Sequence, residues 1–415
     1  MALNIPKIFP LCDNAVNSGV QIAVFLFGAL SLAVPGGYSY GPVILFCVSL
    51  TVFWRPDYWT AMPREVKILG LIFIFYFLVQ AISIWSDGGK LRELDRPSRA
   101  LMAAFILPLL SKYPARQSTL MFGFACGACI SGTIAIYDKL YLDMDRAFGD
   151  GMPIQSGNIS MTLGLFCLCA YFWYKNKQNT KLALLMLFAC AMGILGSFLS
   201  GTRGGWILLP LIVLSIIIHF KDSICRMDKF AAAFFGLGLL GLVAIPQTGV
   251  LDRISVAHSE IVQFVDGGNK NTSLGIRFQL WSSAWNAFLD KPFFGWGNNG
   301  IRQSYAEQFA TGKMTKFIYD LKYHAHNQFL DEMAKRGVIG LLALFCVYIY
   351  PLFLYRRHRA SNSLAYILIA VAALTLIDYS LSQAFINHNS GIVFFFACFA
   401  ILIASLSAQN EEREF

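Results

Sequence analysis

Leu182-Ala-Leu-Leu-Met-Leu-Phe-Ala-Cys-Ala-Met-Gly-Ile-Leu-Gly-Ser-Phe-Leu-Ser200, then Gly201-Thr-Arg-Gly-Gly-Trp206, then Ile207-Leu-Leu-Pro-Leu-Ile-Val-Leu-Ser-Ile-Ile-Ile-His-Phe220: two apolar runs flank a turn that holds one charge, Arg203. Runs of this length cross about 30 Å of hydrocarbon as helices. A charge held between glycines at that depth is costly unless it faces an anion or a wet cavity. Working outward from this pair, similar runs occur near 17–35, 40–54, 67–86, 98–111, 118–137, 154–174, 230–246, 337–355, 362–385 and 388–407. The sequence therefore predicts an all-α polytopic membrane protein of about twelve transmembrane helices. Composition agrees: of 415 residues 56% are hydrophobic and 14% charged, with a mean hydropathy of +0.56, far from the balance of a soluble domain.

Basic residues set the orientation. Arg55, Arg64 and Lys67; Lys112 and Arg116; Lys175, Lys177 and Lys181; Lys221, Arg226 and Lys229; and Arg356, Arg357 and Arg359 fall in alternate loops, which the positive-inside rule makes cytoplasmic, together with both termini. The net charge of +9 is thus a consequence of topology and is not a nucleic-acid footprint. The remaining loops face outward. The division expected is 1–246 with nine spans, 247–336 as a large helical outer loop with helices near 251–265, 276–290 and 324–336, and 337–415 with three more spans. The first span lacks a cleavage pattern and is expected to remain as an anchor.

Several chemistries find no support in the residues. The outer face offers no cluster of His, Cys or carboxylate ligands at metal spacing; His324-Ala-His326 would point apart on a helix. A nucleophile elbow and a P-loop are both missing. Cys126-x-x-Cys129 lies inside an apolar run, where small packing residues are the simpler reading. What the outer face does offer is cations: Lys90, Arg92, Arg96 and Arg99 in one short loop, Arg203, Arg277 four residues before Trp281 and eight before Trp285, and His326 opening the helix His326-Asn-Gln-Phe-Leu330 that leads to Gly337-Val-Ile-Gly340. Each has a plain structural alternative. An outer arginine can anchor to lipid phosphate or pair with Glu93 or Asp95, Trp281 can simply pack, and Asn387-His-Asn389 reads as a tight polar turn.

Thr202-Arg203-Gly204, Arg277 ahead of Trp281, His326-Asn327-Gln328-Phe329-Leu330 and Gly337-x-x-Gly340, in this order around a large outer loop, resemble the O-antigen ligase and polymerase superfamily. The resemblance covers the whole hydropathy profile, and the ligase branch matches best. It implies a C-type glycosyltransferase-like membrane enzyme with a periplasmic active site in the bacterial inner membrane. Such an enzyme moves O-antigen polysaccharide from undecaprenyl diphosphate to a sugar hydroxyl of the lipid A core, with inversion and without metal or other cofactor. Carried onto this chain, the resemblance implies His326, Arg277 and Arg203 as catalytic residues, and Arg203, Arg277, Arg96, Arg99, Trp281 and Asn327 in substrate binding.

The residue chemistry suits that assignment. A diphosphate leaving group needs its developing charge neutralised, and the guanidinium fork does this bidentately. The incoming hydroxyl needs a base, and a histidine near arginines is biased towards its neutral form. A polymerase of the same superfamily and a protein O-oligosaccharyltransferase share the donor and remain open as alternatives. A polyprenyl-glycan transporter is disfavoured: Asp378 is the one clear carboxylate well inside a span, whereas charge otherwise gathers at one face.

Overall fold

A computed structural model describes residues 13–60, 62–149, 151–202, 204–226, 228, 250–266, 268, 270–321, 324–359 and 364–406. Among these residues there are helices and no strand. In chain order they are α1 (Asp13–Ala29), α2 (Tyr40–Val52), α3 (Pro56–Thr60), α4 (Arg64–Ser86), α5 (Ser98–Phe105), α6 (Leu107–Lys112), α7 (Gln117–Leu140), α8 (Pro153–Asn176), α9 (Thr180–Leu199), α10 (Leu209–His219), α11 (Val250–Val265), α12 (Ser273–Asp290), α13 (Gly297–Ala310), α14 (Lys316–Leu321), α15 (Gln328–His358), α16 (Leu364–Ser382) and α17 (Asn389–Ala404).

By length and composition α4, α7, α9, α15 and α16 can each cross a membrane, and α10 and α17 are shorter apolar helices. The chain is a helical membrane protein. Every expected run contains a helix except 230–246, which lies outside the described residues, as does Arg203. The run 98–111 is broken into α5 and α6, where Pro108 in the first turn of α6 has no N–H to continue the ladder.

Burial explains the composition of the individual helices. α17 is apolar all round, Phe394, Phe395, Phe396 and Phe399 being fully buried, which is the pattern of a helix surrounded by others. α16 and α8 are almost as enclosed. α8 carries Gln155, Asn158, Ser160 and Thr162 on buried positions, so its polarity belongs to contacts inside the bundle. Asp378 on α16 is likewise fully buried, and its Oδ1 accepts from Leu208 N at 2.9 Å, at the start of α10. There it satisfies an orphan amide and complements the helix dipole.

Residues 250–321 are more structured than their sequence pattern suggested. α13 and α14 were not anticipated, and two small cores form, one of Ala284, Ala287, Ile301, Ala325 and Ala334 with Trp281, Trp296 and Leu330 against it, the other of Leu280, Met314 and Ile318. This segment is spliced into α15 at Gly337, whose φ of 61° breaks the helix. Val338 N, which a straight helix would direct to Ala334 O, instead donates to Pro292 O at 2.8 Å, and Ala334 O accepts from Trp296 N at 3.0 Å. A Cβ on Gly337 would lie 2.4 Å from Pro292 O, and one on Gly295 2.3 Å from the carbonyl carbon of Lys335, so both glycines are needed for the approach.

Candidate active site

His326 does not open the helix. Asn327 is the N-cap: its Oδ1 accepts from Phe329 N at 3.0 Å and Leu330 N at 3.1 Å, and its Nδ2 donates to Leu381 O at 3.0 Å. Capping takes precedence because a side-chain acceptor is what the first helical amides lack. His326 therefore falls outside the helix with φ 48°, a left-handed backbone rare for a residue with a side chain. Held in this way, the imidazole is half-buried and its Nδ1 lies 2.7 Å from Gln383 Oε1.

Two further histidines share the centre. His326 N donates to His324 Nδ1 at 3.1 Å, with the two rings 4.3 Å apart. Gln383 Nε2 is 3.4 Å from His388 Nε2, and the rings of His324 and His388 are 6.1 Å apart. Burial holds His326 below the ordinary histidine range, and the Arg277 charge adds to the effect, opposed by the Gln383 bond and by Asp331. Burial brings His324 down to about 4. His388 is lowered by burial and then by Arg96 and His326. All three are thus neutral near pH 7. Among the described residues no group of three or more His, Cys, Asp or Glu is placed to hold a metal ion.

Arg277, on α12, is half-buried and its charge reaches His326. Burial also depresses the Arg277 guanidinium. Trp281, one turn further on, packs against Phe278 at 5.7 Å, and its Nε1 is buried with no hydrogen-bond partner among the described residues. Trp285 is exposed. Arg96 is exposed and acts on His388. Arg99 pairs with Asp95 at 2.7 Å, as the sequence allowed, and its Nε donates to Asn389 Oδ1 at 3.4 Å. It lines an apolar cleft with Met102, Ala103, Ile106 and Val393.

Around Arg203 the flanking residues are tightly fixed. Thr202 is buried and donates to Pro153 O at 3.1 Å, and Arg146 Nε donates to Ser200 O at 2.7 Å. Gly204 and Gly205 are pressed onto α16: a Cβ at Gly204 would meet Ser382 Oγ at 2.1 Å, and one at Gly205 would meet Asn158 Oδ1 at 2.2 Å and the Tyr379 ring at 2.8 Å. Ser382 immediately precedes Gln383, so the arginine-bearing turn and His326 are anchored to the same end of α16.

Buried polar pairs brace the centre. Asn387 Nδ2 donates to Asp331 Oδ2 at 2.8 Å, and Gln328 links Asn387 to Ile386 N. Deeper, Glu332 accepts from Gln80 Nε2 at 2.6 Å and from Arg336 at 3.2 Å, and Arg336 also reaches Asn298 at 3.0 Å. Glu332 and Arg336 stand at (i, i+4) spacing, and the structure buries both.

A half-buried histidine and arginine centre thus sits at one end of a helical membrane bundle, and comparison with known proteins gives the family. A family model described as O-antigen ligase matches residues 188–345, a span that contains Arg203, Arg277 and His326. An uncharacterised protein of Haemophilus influenzae is 32% identical over 390 residues, which cover 92% of this chain and 98% of that protein. The chain belongs to the O-antigen ligase superfamily, whose members are glycosyltransferase-like ligases and polymerases acting on lipid-linked glycans.

Proposed function

We propose that the protein is an O-antigen ligase: it transfers polysaccharide from undecaprenyl diphosphate to a sugar hydroxyl of the lipid A core, on the periplasmic face of the inner membrane, in a bundle of about twelve spans with both termini cytoplasmic. His326 takes the proton of the acceptor hydroxyl, whose oxygen attacks the anomeric carbon as the bond to the diphosphate oxygen breaks. Attack opposite the leaving group inverts the centre. Arg277 and Arg203 receive the charge that builds on the departing oxygens, strengthened by the low dielectric of a half-buried site. Trp281 Nε1, buried and without a partner among the described residues, is a donor for a sugar oxygen. Arg96 and Arg99 contribute the lipid-phosphate side, and Asn327 acts through His326 by fixing the backbone on which it stands.

The observation that carries this reading is a half-buried His326, held below the ordinary histidine range, within reach of the half-buried Arg277 charge, which brings a proposed base beside a proposed phosphate ligand. Purified protein is given an undecaprenyl-diphosphate glycan with either lipid A core or a second lipid-linked glycan, and the product is identified. Capped core supports the ligase; a lengthened lipid-linked chain would make the protein a polymerase of the same family.

A further inference from the structure

We propose that Gln383 is the positioning residue of this centre: its side-chain amide holds His326 in the tautomer with the proton on Nδ1 and the lone pair on Nε2, and holds His388 in the complementary one. The inference rests on the reading of His326 as the base.

The oxygen and nitrogen of an amide cannot exchange donor and acceptor roles. An amide oxygen has no hydrogen, so the 2.7 Å contact between His326 Nδ1 and Gln383 Oε1 requires that Nδ1 carry the proton and donate. In a neutral ring Nε2 then holds the lone pair. The amide nitrogen can only donate, so His388 Nε2, 3.4 Å from Gln383 Nε2, accepts, and the proton of His388 sits on Nδ1. A third fixed donor acts on the other side: the backbone N–H of His326 points to His324 Nδ1 at 3.1 Å, placing the His324 proton on Nε2. One glutamine and one backbone amide thus set the protonation pattern of three rings.

Gln383 is itself well held. It is 7% exposed, its N–H donates to Tyr379 O at 3.1 Å, and its carbonyl accepts from Phe385 N at 2.9 Å. A glutamine suits the role better than a carboxylate. Both orient an imidazole, but a carboxylate also stabilises the imidazolium and would keep the base protonated. The charges that face these rings come from several elements. Arg277 on α12 and Asp331 on α15 act on His326, Asp331 and Lys335 on His324, and Arg96 on His388. An amide adds nothing to that balance.

Two variants of the full-length protein in bilayers test the proposal. Gln383→Glu keeps the acceptor at the same place but adds a charge, and should move the acid limb of kcat/KM upward by about one to three pH units. Gln383→Leu removes the acceptor and should lower kcat on the order of a hundredfold with the KM for the undecaprenyl-diphosphate glycan unchanged. A glutamine that merely filled space would lower the rate without moving the limb, and an unmoved limb in Gln383→Glu overturns the proposal. A second measurement needs no turnover. With only six histidines in the chain, 15N-histidine spectra of the wild type, with His326 assigned by difference against His326→Ala, should show it protonated on Nδ1 at neutral pH. Protonation on Nε2 overturns the proposal, whether or not His326 is the base. Normal transfer by His326→Ala would remove the base reading and this proposal with it, whereas an inactive His326→Ala beside an unmoved limb removes the role of Gln383 alone.

Discussion

Gly205→Ala is the most demanding single-residue probe of the site, because it perturbs the Arg203 turn without touching a charge. The added Cβ would lie 2.2 Å from Asn158 Oδ1 and 2.8 Å from two Tyr379 ring carbons, where ordinary contact begins near 3.4 Å. Neither neighbour can yield easily: both are fully buried, and Tyr379 Oη is bonded to Asn158 O at 2.8 Å and Thr162 Oγ1 at 2.9 Å. The turn must then move off α16 by about 1 Å. A shift of that size in a positioning element costs on the order of a hundredfold in rate, about 3 kcal/mol in the barrier, while over-packing costs about 1–3 kcal/mol of stability. Gly19→Ala is the control. Its Cβ would meet Val48 at 3.9 Å, an ordinary contact, on a helix that alanine favours. Transfer is measured with equal amounts of monodisperse protein, and thermal unfolding is followed in parallel. Wild-type transfer by Gly205→Ala would refute the claim that this turn is positioned by its seat on α16.

Lysine should not rescue Arg203 or Arg277, since an ammonium supplies charge without the fork; each substitution should lower transfer by about a hundredfold, and normal rates in Arg277→Lys would reduce it to generic electrostatics. Activity should persist in EDTA, and loss with rescue by magnesium or manganese would contradict an arginine-based leaving-group site. Acid should weaken the fold: unfolded histidines bind a proton near pH 6.5 but His324 only at about 4, so stability falls as pH drops from the first value to the second, by up to about 3 kcal/mol for this residue. Thermal unfolding between pH 7 and pH 4 reads this, and a loss that His324→Gln leaves unchanged would assign it elsewhere. Glu332→Ala leaves the Arg336 charge buried at 5% exposure and should cost about 3–5 kcal/mol, seen as lost folded protein.

The apolar helices were legible because hydropathy is a local property, and Arg277 and His326 stood out as candidates because they fall in order on a family pattern. What the sequence concealed depends on contacts between distant segments. Asn387-His388-Asn389 reads as a turn, and nothing local says that Gln383 bridges His388 to a histidine some sixty residues earlier. Glu332 and Arg336 form a pair that surface helices carry routinely; their burial depends on Gln80 and Asn298 arriving from other elements. The start of α15 was misplaced by two residues because a histidine and an asparagine stand side by side, and the stronger capping residue is the second. Nothing local marks Arg146, whose bond to Ser200 O ties its loop to the Thr202 turn.

The splice at Gly337 bears on biogenesis. The Val338 amide and the Ala334 carbonyl find their partners in Pro292 and Trp296, on a segment synthesised before the span it completes. Without those partners the amide and carbonyl would each cost about 1–3 kcal/mol if left buried, so the kinked helix is favourable only when the preceding segment is folded against it. Completion of this helix during synthesis is thereby conditional on residues 292–296 having taken their place.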